Sequence, residues 1–595
     1  MTAQPLSQIK LPSNNQSEQK TLADLIVDSL EELGVEYVFG IPGGHNSALF
    51  EALARAERRG GIRAILTCHE TGAAFMAHGY ARETGKIGVC CATTGPGATN
   101  LMTGVASAYA DGVPVLAITA QTLLSHFSWG AFQESSPDTI DTVAMFDRCT
   151  RYNTLVTHPN QLARKLFAAL TTALRSPQGP AHLSIPVDLL RSPAPESISY
   201  PHLSQLLTQP SSFVDLAALE ELWQALYGVL SRGRKVVLLV GQDCGGASQE
   251  ITTFAELTNT LIVTTQGGKS CIDPYHSLAR GVFGFAGHKT AREALSDESV
   301  DLILAVGTTL GHWATSQWDK VLLNDKLVHI HPANIYFTRS PMARLHVQGT
   351  IKRVFQELVA RLETMQQNGK LYLDTSVSLS VSSKLSLSDR HKPPQIEVKE
   401  PESYQPSETD SFVKPQRLIS LLLQHFPKET RFTVDIGNWL SWSIHYLFPP
   451  CPENYRLSIG TASMGWGIGS AIGTALGAPK TPVVCLTGDG CFLMHGNELA
   501  VAVSQQLPVI FVILNDRSYG MVKHRHRQTG KEPLEFALPS VDFSLIARAM
   551  GANGHTIRHS QDLEQLDYQA IYTHPGPTVL DVHIDSEQVP PMGMY

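Results

Sequence analysis

The stretch Val483-Val484-Cys485-Leu486-Thr487-Gly488-Asp489-Gly490 runs apolar into Gly-Asp-Gly, and Val509-Ile510-Phe511-Val512-Ile513-Leu514-Asn515-Asp516 runs apolar into a second acid. Apolar runs of this length, stopped by polar residues, read as strands of a parallel sheet buried on both faces. The 27 residues from Asp489 to Asp516 are the length of a strand, a helix and a return strand. Two such strand ends put carboxylate oxygens at the C-terminal edge of an open sheet, where α/β folds bind ligands. A hard cation such as Mg2+ takes oxygen ligands and needs only a few from protein when phosphates supply others. The helix after Gly490 directs its N-terminus at the same place, which favours a diphosphate. Taken singly, each Asp reads as a helix cap or turn former. The pairing is what points to a metal.

The same alternation extends along the chain. Thr21 is placed to cap a helix carrying Leu22, Leu25, Ile26, Leu30 and Leu33, with Gly34 past its end. Strand signals follow at 35–39, 62–67, 87–93, 114–119 and 181–187. A second series lies at 236–240, 261–264, 302–306 and 327–330, and a third at 432–436, 483–486, 509–514 and 578–584. Segments rich in Pro, Ser and charge separate the three series. The expected organisation is a disordered leader (1–20), an N-terminal domain (21–191), a linker (192–212), a central domain (213–365), a second linker (366–411) and a C-terminal domain (412–590). The fold class is α/β, with three doubly wound parallel-sheet domains, and the first and third share their element order.

Composition narrows the functional classes. A net charge of −8 over 595 residues leaves no basic footprint for nucleic acid. The nine cysteines form no C-x-x-C pair. Cys68, Cys90, Cys91 and Cys485 lie in or beside apolar runs, as reduced core thiols of a cytoplasmic protein would. The first 20 residues lack the apolar segment of a secretory signal, and no apolar run reaches membrane-spanning length. Three familiar patterns fail on detail. Val263 stands where the phosphate loop ending at Gly267-Gly268-Lys269-Ser270 needs its first glycine, so that segment reads as an αβ turn. Gly467-Ile468-Gly469 lacks the third glycine of a dinucleotide site. His69-Glu70 is followed by Ala73 where a zinc helix needs its second His.

Several further motifs stand in a recognisable order: Val38-Phe39-Gly40-Ile41-Pro42-Gly43-Gly44, His69-Glu70-Thr71-Gly72-Ala73-Ala74, Thr94-Gly95-Pro96-Gly97-Ala98-Thr99-Asn100, Ala131-Phe132-Gln133-Glu134 and Ser463-Met464-Gly465-Trp466-Gly467. With Gly-Asp-Gly and Asn-Asp, they make the chain resemble the thiamine diphosphate (ThDP) enzyme family in its acetolactate synthase-like branch, from about residue 21 to 590. The resemblance implies ThDP and Mg2+ as cofactors, with a pyrimidine-binding first domain and a diphosphate-binding third. It assigns the metal to Asp489, Asp516 and the carbonyl of Ser518. It makes Glu70 the acid that hydrogen-bonds the cofactor's aminopyrimidine and promotes the tautomer that deprotonates thiazolium C2. Outside that resemblance, Glu70 reads as a carboxylate at a helix N-terminus.

Met464 would wedge between the cofactor rings, and the Ala462 carbonyl would face the 4′-amino group, although Met464 alone also reads as a core methionine. Thr94, Asn100, Gly437, Asn438, Gly488, Gly490, Cys491 and Met521 complete the implied cofactor contacts. Gly44 and His45 would lie by C2, His45 also reading as a solvent-facing loop residue. Phe132 and Gln133 would face substrate, and Gln133 and Gly44 join Glu70 in the catalytic set. The family's active sites form between subunits, which implies a homodimer or tetramer acting on 2-keto acids.

Three departures qualify the resemblance. Asp516 replaces the usual Asn, adding a charge that repels diphosphate and calls for another donor, for which Arg517 is a candidate. Asn438-Trp439 stands where the branch shows Gln-His, and Arg525 where it shows the Trp that shapes the acceptor pocket. Val306-Gly307-Thr308-Thr309-Leu310-Gly311-His312-Trp313 lacks the Gly-x-Arg-Phe-Asp-Asp-Arg signature of flavin-binding members, which speaks against FAD. The expectation is a transferase- or lyase-type carboligase joining two 2-keto acids. The alternatives are an acyloin synthase for aromatic or larger keto acids, of the scytonemin-pathway type, and a non-catalytic ThDP-binding regulatory subunit.

Overall fold

A computed structural model of the chain describes residues 19–195, 212–368, 393–400, 412–531 and 536–594. Nearly all of the expected leader and most of both expected linkers lie outside the described residues. Three six-stranded sheets form, and every strand pair in them is parallel. The first holds β1 (Tyr37–Gly40), β2 (Arg63–Leu66), β3 (Gly88–Ala92), β4 (Val115–Gln121), β5 (Tyr152–Leu155) and β6 (Ala181–Pro186), in the order β2-β1-β3-β4-β6-β5. The second holds β7 (Lys235–Val240), β8 (Leu261–Thr264), β9 (Ala279–Val282), β10 (Val300–Val306), β11 (Leu327–His331) and β12 (Leu345–Gln348), in the order β12-β11-β10-β7-β8-β9. The third holds β13 (Arg431–Val434), β14 (Tyr455–Leu457), β15 (Val483–Gly488), β16 (Val509–Asn515), β17 (Asn553–Ile557) and β18 (Thr578–His583), in the order β14-β13-β15-β16-β18-β17. The first and third sheets therefore share one strand order, and the second has another. In each sheet the order reverses beside the first strand, which opens a crevice at the strands' C-terminal ends.

Helix starts follow local chemistry. The Thr21 hydroxyl accepts from the Asp24 N–H at 3.3 Å while Asp24 accepts from the Thr21 N–H at 2.9 Å. This reciprocal cap opens the helix Leu22–Glu32, and Gly34 follows it at φ 71°. Thirteen strands match the sequence expectation. The other five, β5, β9, β12, β14 and β17, are all outermost in their sheets. An outermost strand is covered less completely, so its sequence need not be an apolar run: none of Tyr152–Leu155 is fully buried, and only Ile557 is in β17.

The first and third domains share one core. The helices Glu70–Thr84 and Trp466–Gly477 cross with alanines and glycines at the contact, inside a cluster that takes in Ala73, Ala77, Ala471 and Ala475. At Gly473 a Cβ would come within 2.0 Å of the Met76 carbonyl oxygen, so the two backbones touch there. Buried Glu83 adds an ionic tie, pairing with Arg431 at 3.2 Å and with Arg456. The central domain docks through Lys269, whose Nζ donates to the Ser443 carbonyl at 2.7 Å and also to Ile444, capping the helix Asn438–Tyr446. The Gly267-Gly268-Lys269-Ser270 segment thus follows β8 in a 3-10 turn before β9, rather than joining a helix to a strand. Cys90, Cys91 and Cys485 are buried as expected, but Cys68 is exposed because it follows the outermost strand β2. Among the described residues, no helix is long and apolar enough to cross a membrane.

Candidate active site

The crevice of the third sheet gathers three acids. Asp435 follows β13, Asp489 follows β15 and Asp516 follows β16. Asp435 is fully buried, and its Oδ1 accepts from the Gly465 N–H at 3.0 Å while its Oδ2 accepts from the Thr487 hydroxyl at 2.9 Å. It thereby pins the turn that presents Met464. Asp489 Oδ1 accepts from the Gly490 N–H at 2.7 Å. Asp516 accepts from the Ser518 N–H at 3.0 Å and from Asn438 Nδ2 at 3.1 Å.

Two oxygens here, Asp489 Oδ2 and Asn438 Oδ1, are buried without a hydrogen-bond partner. Burial, reinforced by the charge of Asp516, pushes the Asp489 carboxyl up to about 7. The amides of Gly490, Arg517 and Ser518 pull the other way without offsetting it. Burial likewise pushes Asp516 up to about 6, against Lys523, whose positive charge lowers it. Arg517, the extra donor offered by the sequence, has an exposed side chain, and its backbone amide is among those that act on Asp489. Orphaned oxygens beside two mutually repelling carboxylates could serve a hard divalent cation as donors.

Neighbouring residues complete this wall. The Met464 methyl reaches Gly490, coming within 3.3 Å of where a Cβ would stand, and the Tyr519 ring lies against the same glycine. Ala462 is held at φ 53°, a left-handed conformation costing about 1–2 kcal/mol for a residue with a Cβ. Gly437 caps the helix Asn438–Tyr446 at φ 107°. The thiol of Cys491 lies 3.5 Å from the Ile436 carbonyl. Met521 is partly buried against the core, while Arg525, one turn further along the helix Gly520–Gln528, is exposed.

A second group sits at the crevice of the first sheet. Glu70 is buried at the start of its helix, and its Oε2 accepts from Asn100 Nδ2 at 3.0 Å. Oε1 faces Gly97, 3.2 Å from where a Cβ would stand. Thr94 donates to the Gln133 carbonyl at 3.0 Å, and Gln133 takes φ 57°. Glu134 gathers the amides of Ser128, at 2.7 Å, and of Gly130 and Ala131, both at 3.1 Å. That loop is fixed by its own carboxylate and presents Phe132 and Trp129, 79% and 84% exposed. Gly44 lies on an open turn, with His45 half-buried beside it. The structure thus brings Glu70, Thr94, Asn100 and Gln133 into one group, and Asn438, Met464, Asp489, Gly490 and Asp516 into another. Phe132 and Arg525 are exposed in the single chain.

Two residues that sequence reasoning missed join these groups within one chain. His495 packs against Gly465 and lies edge-on to His69, ring centroids 6.1 Å apart. Glu498 is fully buried and accepts from the amides of Cys68 at 3.1 Å and His69 at 2.8 Å. Asp435 was legible by the signal that reveals Asp489, an acid closing an apolar strand. Glu498 had no such signal, because its partners lie 429 and 430 residues away.

Comparison with known proteins agrees along the whole chain. Models of thiamine pyrophosphate enzymes match three regions: the N-terminal TPP binding domain at 20–145, the central domain at 223–358 and the C-terminal TPP binding domain at 435–582. A probable acetolactate synthase large subunit of Methanocaldococcus jannaschii is 30% identical over 589 residues, covering 96% of this chain and 93% of that protein. An acetolactate synthase of Arthrospira platensis is 30% identical, covering 96% and 95%. One of Mycobacterium leprae is 31% identical, covering 97% and 89%. Matched in all three domains and at about these identities along nearly its full length, the chain belongs to the thiamine pyrophosphate enzyme family, among relatives named acetolactate synthase.

Proposed function

We propose that this chain is a ThDP- and Mg2+-dependent carboligase that decarboxylates one 2-keto acid and joins the remainder to a second, as in acetolactate formation. The observation that carries this reading is the pair of buried Asp489, with an unpartnered carboxylate oxygen, and half-buried Asp516, in the same chain as buried Glu70 held by Asn100. Asp489, Asp516 and the Ser518 carbonyl are the residues that would hold Mg2+, with Gly437, Asn438, Gly490 and Cys491 beside the diphosphate. When bound, ThDP supplies a carbon nucleophile and a sink for the electron pair left by departing CO2.

The chain's own residues handle protons and position. Asn100 occupies Glu70 Oε2, so Oε1 is the atom that holds and returns the proton. Asp435 keeps the Met464 turn in place, and the strained backbone at Ala462 is the kind retained at working sites. The Glu134-braced loop holds Gln133 against Thr94. Exposed Trp129 and Phe132 on that loop support a homodimer or tetramer in which a partner covers them. Arg525, exposed where relatives of the acetolactate branch carry Trp, favours as a second reading an acyloin synthase with a larger or more anionic acceptor.

The test is incubation of the purified protein with ThDP, Mg2+ and pairwise mixtures of 2-keto acids, with CO2 release and product mass as readouts. A coupled product from any pair supports the carboligase. CO2 without coupling makes the chain a decarboxylase, and neither outcome leaves only a binding role.

A further inference from the structure

Glu498 belongs to the C-terminal domain, yet its side chain serves the N-terminal one. Its two oxygens accept from the N–H groups of Cys68, at 3.1 Å, and His69, at 2.8 Å. These are the two residues directly before Glu70, the last peptide units before the helix Glu70–Thr84. The carboxylate lies on Gly72, where a Cβ would come within 2.2 Å of Oε1, so only glycine permits the approach. Glu498 also stands three residues past the helix Asp489–His495, which opens at the proposed metal ligand. Burial pushes its carboxyl up to about 7, and Glu70 adds to that push.

We propose that Glu498 is a positioning residue for Glu70: it clamps the backbone on which Glu70 is mounted, so that Oε2 stays with Asn100 and Oε1 stays free. An apolar contact would join the domains equally well. A carboxylate turned onto two consecutive amides adds directional constraint immediately before the acid, and a displacement of about 1 Å at such a group costs on the order of 10²-fold in rate. The proposal rests on the role given to Glu70 above.

Glu498→Gln keeps the size of the side chain but offers one acceptor oxygen to two donors. In the metal- and cofactor-free full-length protein, the Cys68 and His69 amides of E498Q should exchange with deuterium about tenfold faster or more. In protein saturated with ThDP and Mg2+, deuterium exchange at thiazolium C2 should slow by about 10- to 10²-fold, with ThDP affinity kept within about threefold. Gly72→Ala, which displaces the carboxylate from the other side, should give the same result. Wild-type C2 exchange in folded E498Q overturns the proposal, and should E498Q not fold, wild-type exchange in Gly72→Ala overturns it. Glu70→Gln separates the two readings. If that variant exchanges C2 normally, the role of Glu70 falls and the clamp with it; if it is slow while E498Q is normal, only the clamp falls.

Discussion

Asn438 donates from Nδ2 to Oδ2 of Asp516 across 3.1 Å, reaching from the end of β13 over β15 to the end of β16. Asp489 directly follows the strand it crosses, so three strand ends converge on the two carboxylates. This bridge orders Asp516 but leaves the Asn438 carbonyl oxygen and Asp489 Oδ2 unpartnered.

That geometry has a pH signature. Asp489 and Asp516 are raised to about 7 and about 6 in the native state, against an unfolded value near 4. A raised native pKa stabilises the fold below the unfolded pKa, and the contribution is lost as pH rises through the native pKa. The metal-free protein should therefore lose stability from about pH 4 to about pH 7, by up to about 1.4 kcal/mol per pH unit per group. Glu498 and Asp435 titrate in the same window, so the comparison with and without Mg2+ isolates the proposed metal pair. The rise in Tm on adding Mg2+ should be larger at about pH 8 than at about pH 5.5, and Asp516→Asn should shrink that difference. Equal gains at both pH values, read by scanning fluorimetry, would rule out this pair as the metal seat.

Glu70→Ala should lower turnover by about 10²–10⁴, the range for a positioned proton carrier. Calorimetric titration should still detect ThDP, since the residues proposed to hold the diphosphate lie in the other domain. Near-normal kcat in this variant refutes the proton-handling role.

Gly473→Ala tests the contact between the domains. Alanine favours a helix by up to about 1 kcal/mol over glycine. Its Cβ would stand 2.0 Å from the Met76 carbonyl oxygen, and backbone cannot swing aside as a side-chain tip can. A net loss of about 1–3 kcal/mol is expected in urea unfolding. A variant as stable as wild type would mean that the helices separate without penalty.

Arg525→Trp should move acceptor choice toward pyruvate. An exposed charge contributes about 1 kcal/mol or less, so product ratios in a competition of pyruvate against a dicarboxylic keto acid should shift by about fivefold. An unchanged ratio removes Arg525 from acceptor selection.

The strands legible in the sequence are, with one exception, those interior to their sheets. Thirteen strands, all but one of them interior to their sheets, announce themselves as apolar runs, while five of the six outermost strands do not. Asp489 and Asp516 were legible because an acid closing an apolar strand is unusual, and Asp435 carries the same mark. The burial of Lys269 under Phe448 and Tyr455 had no local signal, since what pairs with it arrives from another domain.

By itself, the sequence determined three parallel-sheet domains and the strand ends where the acids stand, because burial on both faces and strand-end polarity are properties of contiguous residues. Only the tertiary structure decided which oxygen of Asp489 is left without a partner, that Asn438 reaches Asp516, and that Glu498 reaches Cys68 and His69. Those facts depend on the close crossing at Gly473 and on contacts spanning more than 400 residues of chain. The periodicity of one segment carries no information about which distant segment will cover it.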